Sequence, residues 1–252
     1  MTIDYPSRDQ IPALKSLWTL AFGDGEEFLN PFFEIAYAPD RCRCLTVDGQ
    51  VAAALYWFEC SRKNQRLAYV YAVATHPDHQ GRGLCAALMA DTAALLKAQG
   101  FDGILLCPAS EGLFRMYGKM GYHPCTRIRE WECTAAGTPI PMEEISKDEY
   151  ARLRPSLMPP RGILQDGPLM DLLAVFAKFY AGDGWIAAVT VEDGQFRCHE
   201  LLGNVTSAPR ILCSTGVQNG SFRAPGSEKP FTMALPLSEK YTDPGYFGLP
   251  LD

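Results

Sequence analysis

The richest chemistry in the sequence lies between Tyr71 and Leu88. A Tyr- and Val-rich strand is expected over residues 67–75, and His76-Pro77-Asp78 breaks it. Residues 81–99 then carry Leu84, Leu88, Leu95 and Leu96 at the spacing of a long amphipathic helix. Gln80, Gly81, Arg82 and Gly83 therefore open a helix directly after a strand. The first N–H groups of a helix have no partner of their own, and with the helix dipole they make a receptor for phosphate oxygens. Glycine at 81 and 83 removes the Cβ that would hold a diphosphate away from those amides, and Arg82 adds a mobile positive charge. Chain reversal explains the two glycines equally well at this level. The dinucleotide fingerprint fails for want of a third glycine, and the phosphate-loop signature fails because no Gly-Lys-Ser/Thr follows.

The elements around this stretch alternate between periods. Helices are expected over 10–22, with Ile11, Leu14, Leu17, Trp18 and Phe22 on one face, and over 26–37, stopped by Pro39. Residues 43–47 and 51–60 flank the turn signal Asp48-Gly49 and read as a hairpin. After the long helix, Gly100 leads into a short, mainly apolar strand over 101–107, of the kind buried on both faces. A helix over 111–120 ends at Gly121, and a strand returns over 122–133. That helix carries Leu113-Phe-Arg-Met-Tyr117-Gly-Lys-Met-Gly121-Tyr122.

Two of these stretches together resemble a known family. Val73-x-x-His-Pro-x-x-Gln80-Gly-Arg-Gly83-Leu-Cys85 is similar to the acyl-CoA-binding motif of the GNAT N-acetyltransferases, a Gln or Arg followed by x-x-Gly-x-Gly/Ala. The Tyr117-x-x-x-Gly121-Tyr122 run resembles the family's second signature, one strand further on. The resemblance covers residues 1–133. It implies an α+β chain with the GNAT fold, a central, mostly antiparallel mixed sheet flanked by helices. It also implies acetyl-CoA as co-substrate, a primary amine of a small molecule or peptide as acceptor, and no metal.

By the same resemblance, Gln80, Gly81, Arg82, Gly83, Leu84 and Cys85 form the diphosphate loop and helix start. Val73, Ala74 and Thr75 end the strand along which the pantetheine arm would lie. The backbone of Val73 and Thr75 would pair with its amides, and an N–H near Val73 would polarise the thioester carbonyl. Tyr117 would give the departing thiolate its proton. Two residues depart from the usual pattern: Cys85 replaces Gly or Ala, and Ser110 stands where an Asn commonly contacts the pantetheine. No general base stands out. Glu59 and Glu111 are the nearest carboxylates in sequence, and a water relay serves as well. His76, Asp78 and His79 have metal-capable side chains, but the family needs no metal there. Tyr56-Trp57-Phe58 alternates faces on its strand, with one side available to line an acceptor cleft.

Composition sets the frame for these motifs. The 252 residues, 47% apolar and 21% charged, suffice for two domains and exclude disorder. Splitting at 140 gives 13 Lys+Arg against 15 Asp+Glu, then 10 against 14, so neither part has the cationic face of a nucleic-acid binder. Nine cysteines are an odd number without CxxC pairs or a signal peptide. Cys42 and Cys44 share a strand face, and Cys60, Cys107, Cys133, Cys198 and Cys213 sit in or beside apolar strand-like runs. Reduced thiols in a cytoplasmic protein follow. No apolar run is long enough to span a membrane.

The Ala-Gly-Thr-Pro-Ile-Pro stretch at 136–141 marks a boundary between a catalytic domain over 1–135 and a second α+β domain over 142–252. In the second part, helices are expected over 147–157 and 169–180. A hairpin is expected over 185–191 and 196–202 around Asp193-Gly194, with strands over 210–215, 231–235 and 246–249. It lacks both signatures and resembles, at fold level, a degenerate GNAT-like half. Extending the sheet, walling the acceptor site and forming a homodimer are the roles open to it. The alternative for the whole chain is a catalytically silent CoA-binding sensor or interaction module.

Overall fold

The structure is a computed structural model that describes residues 1–192 and 194–251. Asp193, in the expected Asp193-Gly194 turn, and Asp252, the end of the expected packed terminus, lie outside the described residues. In chain order the elements are β1 (Thr2–Asp4), α1 (Ile11–Phe22), α2 (Glu26–Pro31), β2 (Cys42–Val47), β3 (Gln50–Arg62) and β4 (Gln65–Thr75). Next come α3 (Leu84–Ala98), β5 (Gly103–Leu106), α4 (Glu111–Lys119), β6 (His123–Thr134), β7 (Glu143–Ile145), α5 (Lys147–Leu157) and α6 (Pro168–Phe176). The chain continues with β8 (Lys178–Gly182), β9 (Trp185–Glu192), β10 (Gln195–Gly203), α7 (Ala208–Thr215), β11 (Asn219–Pro225) and β12 (Lys229–Pro236).

The chain divides into two units. One holds Met1–His123 with Met233–Thr242, the other Pro124–Thr232 with Asp243–Asp252. In the first unit β1, β2, β3 and β4 pair antiparallel in that order, and β4 pairs β5 in parallel. Met233–Pro236 of β12 then closes on β5 antiparallel. The buried Asp102 ties this returning segment down. Its carboxylate accepts from Ser238 Oγ at 2.6 Å and from the Arg66 N–H at 3.0 Å, and its carbonyl accepts from the Leu237 N–H. Leu45, Leu55, Leu88, Leu96 and Ile104, each 0% exposed, belong to a core shared by the sheet and α3.

The second unit repeats the scheme. β7, β8, β9 and β10 pair antiparallel in order, β10 pairs β11 in parallel, and β6 closes on β11 antiparallel. Helices α5 and α6 fall between its first two strands, as α1 and α2 do in the first unit, and α7 falls between its parallel pair, as α3 does.

Most expected elements are present, and several differ. Residues 210–215 are helical rather than extended: Pro209 lies in the first turn of α7, left-handed Gly216 ends it, and Ala208, Ile211 and Leu212 are buried at helical spacing. Cys213 is therefore a helix residue. The helix expected to reach 180 stops at Phe176, and Lys178–Gly182 is drawn into the sheet between β7 and β9. Residues 246–249 form no strand; Tyr246 makes an isolated bridge to Gly162. The long helix starts at Leu84, with Gly83 as its N-cap.

Candidate active site

The site is built where β4 leaves its neighbour. The parallel ladder to β5 runs from Leu67↔Gly103 to Tyr69↔Leu105 and goes no further, while β4 continues to Thr75. The β3 side stays paired, but its register slips between Ala54↔Ala74 and Tyr56↔Tyr71, so β4 carries a bulge at residues 72 and 73. Ala72 takes the left-handed conformation there, with φ +49°, a costly choice for a residue with a Cβ. The bulge turns the half-buried Val73 out of the regular ladder. Along residues 71–75 the β5-facing backbone is thus an open strand edge, the geometry an extended amide-bearing chain can pair with. Ala74 itself is buried at 5% exposure, and Thr75 pairs Ala53.

The next residues turn the chain into α3. The Gln80 amide donates to the Thr75 carbonyl at 3.2 Å, and the Arg82 guanidinium meets His79 Nδ1 at 2.7 Å. The His76 ring accepts from the Asp78 N–H at 3.3 Å, so this loop is tied to itself. Gly81 and Gly83 both have positive φ, +72° and +76°, and a Cβ at either would meet open space. Backbone conformation, and not crowding by the protein, is what requires glycine at both. The first bond of the helix runs from the Ala87 N–H to the Gly83 carbonyl. The N–H groups of Leu84, Cys85 and Ala86 therefore lack intrahelical partners, and Arg82 is exposed beside them. This start suits a diphosphate. Leu84 anchors the helix in the core at 6% exposure, and burial pushes the Cys85 thiol up.

Helix α4 brings the other group. Ser110 caps it, its hydroxyl accepting from the Leu113 N–H at 3.3 Å, which leaves the hydroxyl proton to donate elsewhere. The helix ends in a Schellman motif. The Tyr122 N–H donates to the Tyr117 carbonyl at 3.1 Å and the Gly121 N–H to the Gly118 carbonyl at 3.1 Å, with Gly121 at φ +93°. The same motif packs Tyr122 edge-on against Tyr117, with ring centroids 5.8 Å apart. Burial first, and then Cys85, push the Tyr117 hydroxyl well above the usual tyrosine range, so it carries its proton at neutral pH.

Neither carboxylate is placed as a base. Glu59 is gripped by Nε and Nη2 of Arg66, at 2.7 and 2.8 Å, and its hydrogen bond to Arg66 holds its carboxyl below the usual range. Glu111 is exposed and lies 3.6 Å from Arg115. Among the described residues, no group of three His, Cys, Asp or Glu side chains could hold a metal ion. Trp57 belongs to the core under α3, whereas Tyr56 and Phe58 join Trp18, Phe32 and Tyr71 in a ring cluster. Two features of this region, the bulge at Ala72 and the ring contact of Tyr122 with Tyr117, are not read from the sequence. Nothing in Tyr71-Ala72-Val73 signals a bulge, but the place of Tyr122 directly after a helix-ending glycine does signal a fixed ring.

An open-edged strand, a glycine-bounded helix start and a protonated tyrosine in one unit are the features expected of an acyltransferase. Comparison with known proteins gives the family. Residues 2–125 match the model for the acetyltransferase (GNAT) domain. A sequence search of curated proteins finds no match. Among solved structures, a GCN5-related N-acetyltransferase from Anabaena variabilis superposes with a TM-score of 0.71 at 15% identity, over 94% of this chain and 73% of that one. A putative acetyltransferase from Pyrococcus horikoshii gives 0.64 at 16% identity, over 98% and 93%. A tandem GNAT protein from the clavulanic acid biosynthesis pathway gives 0.59 at 12% identity, over 95% and 100%. At such identities these structures share a fold with this chain. Residues 2–125 are a GNAT acetyltransferase domain, and the protein is an acyltransferase. As a rule, the family uses acetyl-CoA and acts on amines. Among the described residues, no helix is long and apolar enough to cross a membrane.

Proposed function

We propose that the protein moves an acetyl group from acetyl-CoA to a primary amine of a small molecule or peptide by direct attack, with Tyr117 as general acid. The observation that carries this is the open edge of β4 beside the α3 start, in the same unit as a proton-bearing Tyr117. Bound acetyl-CoA would supply an activated thioester carbonyl. The N–H groups of Leu84 and Cys85, with Arg82, would hold its diphosphate over Gly81 and Gly83. Val73 and Thr75 would pair with the pantetheine amides, with Ala74 between them, Gln80 bracing the turn and Ser110 donating its hydroxyl proton. A bulge N–H at Val73 would meet the carbonyl oxygen as negative charge grows there. Tyr117 would give its hydroxyl proton to the departing sulfur. The acceptor ammonium would lose one proton to water before the free amine attacks, since Glu59 is held by Arg66. The second proton, lost as the amide forms, would return to Tyr117 through water.

Residues 1–135 would form the catalytic domain and residues 142–252 a degenerate GNAT-like half. The described residues contain nine free cysteines, which favours a reducing, cytoplasmic setting. The decisive experiment incubates the protein with acetyl-CoA and a panel of amines and follows free thiol release. Turnover with at least one amine is expected, and Tyr117→Phe should lower kcat by about 100-fold, the weight of general acid catalysis. Tight CoA binding without thiol release from any amine would instead leave a silent sensor.

A further inference from the structure

The hydroxyl of Tyr122 is an anomaly in an otherwise apolar place. The residue is 4% exposed, and Oη has no hydrogen-bond partner among the described residues. Packing does not require this oxygen. The Schellman motif asks only for an apolar contact between Tyr122 and Tyr117, which a phenylalanine would make equally well. Buried polar atoms are costly to leave unpaired, so this oxygen is a donor available to a charge that forms beside it.

The surroundings point to one. Two backbone hydrogen bonds tie the Tyr122 backbone to the end of α4, and its ring meets that of Tyr117 at 63° with centroids 5.8 Å apart. The titratable groups that face this pair are each other and Cys85, from the first turn of α3. A thiol is the weaker hydrogen-bond donor, and Tyr122 is the donor with nothing else to do. The chemistry supplies the need. When Tyr117 gives up its proton, its oxygen becomes a phenolate inside an apolar pocket. Burial makes that charge expensive, and with it makes Tyr117 a poor acid, unless a donor meets the new charge.

We propose that the Tyr122 hydroxyl is that donor, a positioning residue that hydrogen-bonds the Tyr117 oxygen as the acid discharges and so strengthens it. The inference rests on the acetyl-transfer reading above. No covalent bond changes at Tyr122. The proton leaving Tyr117 goes to the sulfur, and Tyr122 keeps its own.

A double-mutant cycle on the full-length protein tests this, with kcat and the acetyl-CoA KM measured for wild type, Tyr122→Phe, Tyr117→Phe and the double variant. Tyr122→Phe is expected to lower kcat about tenfold, the weight of one hydrogen bond to a charged group, with KM unchanged. It should not lower the melting temperature, because it removes an unpaired oxygen. In the Tyr117→Phe background the same change should cost nothing further, as expected for residues that act as one unit. An unchanged kcat, a loss confined to KM, an equal loss in both backgrounds, or a fall in melting temperature would each overturn the assignment. An inactive wild type would count against acetyl transfer itself. An active wild type that needs Tyr117 but not Tyr122 defeats this inference alone.

Discussion

Strands β4 and β10 hold the same place in their units, and each is bulged where its parallel ladder ends. In β4 the ladder stops at Tyr69 and the bulge follows at 72 and 73; in β10 it stops at Cys198 and the register slips between Cys198 and Glu200. Past the bulge they diverge. In β4 the bulge residues 72 and 73 and Thr75 are half-buried and Ala74 is 5% exposed, whereas Glu200, Leu201 and Leu202 are all 0% exposed. The Glu200 carboxylate takes two bonds from Arg154, at 2.7 and 2.8 Å, one from Tyr150 at 2.7 Å and one from Tyr246 at 2.9 Å. Gln165 accepts from Arg154 and donates to the carbonyls of Gly248 and Leu249, so the same network holds the C-terminal segment. Among the described residues, the second unit has no glycine pair before α7 and no helix between β11 and β12. One backbone plan thus serves two ends: an open edge suited to a ligand, or a position satisfied by the chain's own polar side chains.

The largest test of this contrast is Glu200→Ala. It strands a buried guanidinium, and removing one partner of such a pair costs about 3–5 kcal/mol. Urea unfolding should show the loss, and a change below about 1 kcal/mol, the usual worth of an exposed pair, would end the claim that this network holds the second unit together.

The first unit's own polar anchor is Asp102, and its effect should be smaller and dependent on pH. Its hydrogen bonds from Ser238 and the Arg66 N–H hold its carboxyl below the usual range. A depressed folded pKa means that its contribution is complete above the unfolded value, about 4, and fades as pH falls through the folded one. Asp102→Asn should cost about 1.5–3 kcal/mol at pH 7, the worth of hydrogen bonds to a charged group. Its penalty should shrink in acid. Melting curves from pH 7 down to about 3, spanning the carboxylate range, would show an unchanging penalty if Asp102 were merely packed.

The smallest expected effect is at the bulge. Ala72→Gly relieves the left-handed strain but frees the unfolded chain, leaving a net gain of roughly 0.5 kcal/mol. A loss of stability instead would mean that the Ala72 methyl holds the bulge open.

The parts of this plan that are legible in the sequence are those with strong local causes. The strand, break and helix over 67–99 show because proline, two glycines and a leucine stripe each act within a few residues. Gly121 shows because the helix end needs a left-handed residue there, and Tyr117 shows only through the resemblance of its run to a family signature. The three-residue strands β1 and β7 are too short to display a period, and pairing partners distant in sequence bring them into the sheet. Helix α7 spans only about two turns, too few to separate its spacing from a strand's. The bulge at Ala72 is the largest omission, because its left-handed backbone is imposed by the register of β3 and leaves no trace in residue type.

The return of Met233–Thr242 to the first unit carries a consequence for the order of synthesis. Strand β5 keeps one edge unpaired until Met233–Pro236 has been made, 110 residues after His123 (233 − 123). At ordinary translation rates that is a wait of about 5–20 s. During it, the nascent unit exposes a strand edge of Gly103, Ile104, Leu105 and Leu106, an apolar template open to any neighbouring chain. A ribosome stalled before residue 233 would hold a polypeptide that contains every residue proposed for acetyl transfer and still lacks the strand that finishes its sheet.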